Sequence, residues 1–92
     1  MKHDPTMTRL GDLARVWLTS GRRPEGVGLL STSQAITVAL AAAKVTSPVI
    51  RQYGLERSWR RLNAPQREFV QEINPTIYSD LAKRFGESVD YL

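Results

Sequence analysis

The sequence predicts an all-α protein, a compact orthogonal bundle of five or six short helices. Three observations carry this. Apolar residues recur at i, i+3, i+4 and i+7 in the long periodic stretches, as one buried helix face requires. The breaks between stretches hold helix caps and stops, among them Ser31, Ser47-Pro48, Asn63, Asn74-Pro75, Gly21, Gly54 and Gly86. No stretch alternates apolar and polar residues for long enough to build a sheet, and only residues 28–30 and 87–92 leave room for a short strand.

The first helix is expected from about Arg9 to Ser20, capped by Thr8 and stopped by Gly21, with Leu10, Leu13, Ala14 and Trp17 as its apolar stripe. Residues 21–30 carry three glycines and a proline and form a loop, which Leu29 and Leu30 return to the core. Ser31 with Gln34 has the spacing of a capping box, flanked by Leu30 and Ala35 as a hydrophobic staple. The helix that follows, about Thr32 to Lys44, is almost uncharged and rich in alanine, so it has no wide polar face and reads as the enclosed central helix.

Ser47 and Pro48 suit the N-cap and first position of a short third helix that Gly54 ends. Leu55, Trp59 and Leu62 then supply one buried side, with Arg57, Arg60 and Arg61 turned away. Asn63 with Gln66 opens a helix whose stripe is Phe69, Val70 and Ile73. Asn74-Pro75 restarts the chain, and the last helix, Pro75 to Phe85, stops at Gly86. Trp17 and Trp59 lie on apolar faces and read as core.

Ninety-two residues support one core, so the expected organisation is an N-terminal arm over 1–7, a helical domain over 8–86 and a tail over 87–92. The absence of cysteine excludes disulfides and thiolate chemistry and favours a cytoplasmic setting. The first seven residues are polar, and the longest apolar run, 38–43, is far too short for a membrane span. No membrane association is expected.

Catalytic signatures are missing, and no enzyme activity or cofactor is expected. His3 is the sole histidine and sits in the arm, which is too little for a metal site or a histidine-based triad. Glu68 and Glu72 share a helix face, but general acid–base work needs one carboxyl withdrawn from water, and a helix surface leaves both in it. Residues 22–28 have glycines without the Lys-Ser/Thr ending of a nucleotide loop.

The segment Ala39 to Tyr53 resembles the helix-turn-helix pattern of DNA-binding domains. Leu40 takes the crossing position, Lys44 the place where such motifs carry a left-handed glycine, Val45 the aliphatic position after the turn, and Thr46 or Ser47 the cap of the second helix. The resemblance implies that Val49, Ile50 and Tyr53 hold the second helix to the body while Pro48, Arg51 and Gln52 face outward. Arginine and glutamine side chains are able to read guanine and adenine edges.

The formal charge is +4, but residues 1–67 hold eleven Lys/Arg against four Asp/Glu and residues 68–92 hold two against five. A basic body attracts polyanions or an acidic protein surface. Arg57, Arg60, Arg61 and Arg67 follow the helix-turn-helix segment as candidate phosphate contacts, and Arg22 and Arg23 offer a second set on the loop. A solvated surface partly neutralised by Glu56, Glu68 and Glu72 is the competing reading.

The expected function is nucleic-acid binding, with DNA as the target and a regulatory or accessory role. The alternative is a non-enzymatic adaptor, inhibitor or assembly subunit that docks on an acidic partner protein. The candidate contact residues are Arg22, Arg23, Lys44, Ser47, Arg51, Gln52, Arg57, Arg60, Arg61 and Arg67. The sequence is compatible with a monomer or a homodimer.

Overall fold

Six α-helices and one 3-10 turn follow one another in a computed structural model that describes residues 5–87. The elements are α1 (Pro5–Ser20), the 3-10 turn (Glu25–Leu29), α2 (Thr32–Ala41), α3 (Pro48–Tyr53), α4 (Leu55–Arg61), α5 (Ala64–Ile73) and α6 (Pro75–Phe85). They pack as an orthogonal bundle of 30 × 30 × 23 Å. Its radius of gyration, 11.9 Å, is close to the roughly 12 Å expected of a folded domain of this length.

The alanine-rich helix is the axle of the fold. α2 packs against every other helix and against the 3-10 turn, and residues 35–42 are all buried. Small side chains allow this approach from several sides. Thr37, fully buried, satisfies its hydroxyl by donating to the Ser33 carbonyl at 2.7 Å. At the N-terminus the Ser31–Gln34 capping box forms in both directions, each bond 3.2 Å.

α2 ends at Ala41, three residues before the expected Lys44. Ala43 adopts φ +58°, the Lys44 N–H bonds the Ala39 carbonyl at 2.8 Å, and the Ala43 N–H bonds the Leu40 carbonyl at 2.9 Å. This is a Schellman closure with alanine where glycine is usual. The freed Ala41 carbonyl accepts from the Asn74 side-chain amide at 3.2 Å. Asn74 also caps α6, accepting from the Ile77 N–H at 3.2 Å, so one side chain joins the end of α2 to the α5–α6 corner.

α1 buries Leu10, Ala14 and Trp17 as its spacing requires. It begins at Pro5, four residues before the expected Arg9, because proline suits a first helical turn and leaves no N–H to satisfy. The arm expected over 1–7 is therefore helical from residue 5 onward, and His3 lies outside the described residues. Gly11, buried in α1, lies where a β-carbon would stand 3.7 Å from the Phe69 ring of α5.

The loop folds into the 3-10 turn, so no strand forms at 28–30. Val27 is buried and Leu30 packs against the core, but Leu29 is 82% exposed and takes no part in it. Gly54, at φ +85°, ends α3 and starts α4 in a single residue. The Asn63–Gln66 capping box opens α5.

Arg67 departs from expectation. It is 4% exposed, with its guanidinium 4.3 Å from the centroid of the buried Trp59 ring. Nη2 donates to the Trp59 carbonyl at 3.1 Å and Nη1 to the Glu87 carbonyl at 2.6 Å. The Trp59 indole N–H donates to the Gly86 carbonyl at 2.8 Å, and the Tyr78 hydroxyl to the Glu87 carboxylate at 2.8 Å. Residues 86–87 are thus fastened across α4, α5 and α6; the rest of the expected tail, 88–92, lies outside the described residues. The bond to Glu87, aided by burial and the negative charge, pushes the Tyr78 pKa above 10.0.

Candidate nucleic-acid interface

α3 buries Ile50, half-buries Val49 and Tyr53, and exposes Pro48, Arg51 and Gln52. This is the division between inward and outward residues that the sequence implies. The route into α3 differs. The left-handed residue is Ala43 and not Lys44. Lys44 is half-buried and its N–H closes α2, while a second turn is closed by the Ser47 N–H bonding the Lys44 carbonyl at 3.1 Å. The connection occupies residues 42–47, longer than the usual three- or four-residue turn of a helix-turn-helix. α3 itself has six residues, under two turns.

Four arginines surround this short helix. Arg51 projects from its exposed face, and Arg57 and Arg61 share one face of α4, being four residues apart. Arg61 lies 5.3 Å from the Tyr53 ring centroid and its Nε donates to the Ser33 hydroxyl at 3.2 Å. The guanidinium is thereby held where α2, α3 and α4 meet. On the other side, Arg23 shares a cleft with Pro48 and Val49 at the start of α3. Arg22 is exposed beside it.

The remaining candidates do not join this group. Arg60 is bound by Glu56 at 2.9 Å, an i, i+4 pair of small stabilising value. Arg67 is enclosed, as described above, because its position on α5 faces Trp59 and not water. Ser47 is 8% exposed, and its hydroxyl caps nothing and has no hydrogen-bond partner among the described residues. An unsatisfied buried hydroxyl costs about 1–3 kcal/mol.

Between Gly26 and Arg67 the chain has six basic residues and a single acid, Glu56, which Arg60 occupies. The positive charge of Arg51 and Arg57 is not matched by any ion pair among the described residues. Glu68 and Glu72 are exposed on α5, and Glu72 borders a different cleft with Arg15 and Phe69. The roles of Tyr53 and Ser33 as supports for Arg61 are invisible in the sequence, since Gly54 interrupts the helical spacing that would relate Tyr53 to Arg61.

Beside α3 lies a cleft of about 200 Å³. Trp17, Val27, Ala35 and Val49 form its apolar walls, with Thr32, Ser47 and Arg23 as polar members. Nothing in the sequence announces it, because its lining comes from α1, the 3-10 turn, α2 and the start of α3. The chain matches no protein-family model, and comparison with curated proteins and with solved structures finds no match.

Proposed function

We propose that the protein binds nucleic acid, with duplex DNA as its target, through α3 and the arginines around it. The observation that carries this reading is the grouping of Arg23, Arg51, Arg57 and Arg61 about one exposed helix, in a stretch, 22–67, that holds eight basic residues against two acids, Glu25 and the Arg60-paired Glu56. Arg57 and Arg61 engage phosphates, for which the guanidinium fork is suited. Arg51 and Gln52 present base-reading groups from α3. Arg61 is supported by Tyr53 and Ser33, so less side-chain freedom is lost on contact. Among the described residues no helix is long and apolar enough to cross a membrane.

The test is the double variant Arg51→Glu/Arg57→Glu. Both side chains are exposed and neither makes an ion pair among the described residues, so circular dichroism should stay unchanged. Affinity for duplex DNA at low salt should fall about tenfold or more per reversed charge. Undiminished binding by the folded variant would overturn the proposal.

A protein partner that docks on apolar surface would have Leu29, Val16 and Leu18 to use, which are 82%, 52% and 45% exposed. Val16 and Leu18 point about 160° apart around α1, at 100° per residue, so they do not make one apolar patch. Isolated exposed apolar residues are ordinary. A docking protein would therefore have to be acidic and use the arginine surface.

A further inference from the structure

We propose that the cleft between α1, the 3-10 turn, α2 and the start of α3 binds a small monocarboxylic acid with an aryl or branched alkyl body. The volume, about 200 Å³, suits a ring with a short acid arm, since a cavity of about 150 Å³ already admits benzene. Trp17, Val27, Ala35 and Val49 match the apolar body. Among the described residues Arg23 is the only charged member of the lining, which includes no acid. Its Nη2 lies 4.0 Å from where a Gly28 β-carbon would stand, which places the guanidinium over the 3-10 turn.

Two further features favour a single negative charge. Thr32, the first residue of the ten-residue α2, lines the cleft, so the positive end of that helix dipole lies beside the ligand. Ser47 lines it as well, 8% exposed, with a hydroxyl that has no partner among the described residues. The Ser47 oxygen is itself enclosed, so its side chain must turn toward the cleft to donate to a carboxylate oxygen, an acceptor that a purely apolar ligand lacks. The cleft shares Arg23 with the proposed DNA surface but stands on its own geometry.

The experiment is a titration of the full ¹⁵N-labelled chain with benzoate, followed by two-dimensional NMR, with benzyl alcohol as the neutral comparator. Saturable shifts are expected at the Trp17 indole and at the Val27, Thr32 and Ser47 amides, with the Trp59 indole unmoved. Arg23→Ala, at an exposed position, should weaken benzoate about tenfold and leave benzyl alcohol unaffected. Ser47→Ala should weaken benzoate in the same sense while keeping the fold. Two results overturn the proposal: no saturable shift up to tens of millimolar benzoate, or equal benzoate affinity in wild type and Arg23→Ala. Neither depends on DNA binding, which is measured separately.

Discussion

Replacing Arg67 should damage the fold, although the residue belongs by charge to the basic surface. Its guanidinium stacks on Trp59 at 4.3 Å and donates to two carbonyls. A desolvated cation–π contact contributes about 2 kcal/mol, and a hydrogen bond from a charged donor about 1.5–3 kcal/mol. These contributions overlap, and Arg67→Ala also leaves the Trp59 and Glu87 carbonyls short of donors, so a loss of about 3–4 kcal/mol is expected. A 92-residue domain has in total about 5–14 kcal/mol. Urea unfolding should show the midpoint falling by about 2 M, for a slope of about 1.5–2 kcal/mol/M. Arg67→Lys, which keeps charge but loses the planar fork and stack, should lose about half as much. Arg57→Ala, at an exposed site, should stay within about 0.5 kcal/mol of wild type. If Arg67→Ala behaves like Arg57→Ala, the guanidinium is in water and the closure around Trp59 is wrong.

The other expectations concern the joints of the bundle. Ala43→Gly relieves the left-handed alanine that ends α2 and should stabilise by about 0.5–1 kcal/mol in the same urea assay, whereas Ala43→Val should destabilise. Asn74→Ala removes both the α6 cap and the donor to Ala41 and should cost about 2 kcal/mol. Asn74→Asp, which keeps the cap alone, should cost about half of that. Tyr78 holds its proton more tightly in the fold than its ordinary value of 10.0, chiefly through the bond to Glu87. Its contribution is therefore present below pH 10.0 and lost as pH rises through the folded pKa. Chemical unfolding across that range should show the decline in wild type and a smaller one in Tyr78→Phe.

Periodicity and capping chemistry made most of the fold legible. Ser31–Gln34, Asn63–Gln66, Asn74 and Gly86 mark boundaries that local hydrogen bonds enforce, so a reader of the sequence meets the same constraints as the chain. The uncharged α2 reads as the central helix, and it packs against every other helix. Errors fall where tertiary contacts decide. α2 stops early because Ala43 accepts a left-handed conformation and Asn74 takes up the Ala41 carbonyl. Arg67 is buried because Trp59 and the 86–87 segment surround it, and no spacing rule shows that. Leu29, apolar yet exposed, follows from the 3-10 geometry that turns Val27 inward in its place. The arginine grouping was partly legible, since Arg57 and Arg61 share a face by spacing alone. The approach of Arg23 to α3 and the seat of Arg61 on Tyr53 need the assembled bundle.

Engagement of phosphates by the positive surface around α3 is tested most directly by the salt dependence of association with a fluorescent duplex DNA, read by anisotropy. With Arg23, Arg51, Arg57 and Arg61 engaged, the logarithm of the association constant should fall against the logarithm of salt with a slope of about −3.6, at about −0.9 per neutralised phosphate. Arg57→Glu should make that slope shallower by about 1. A folded protein that fails to associate at low salt, or whose association ignores salt and the charge at position 57, contradicts the account.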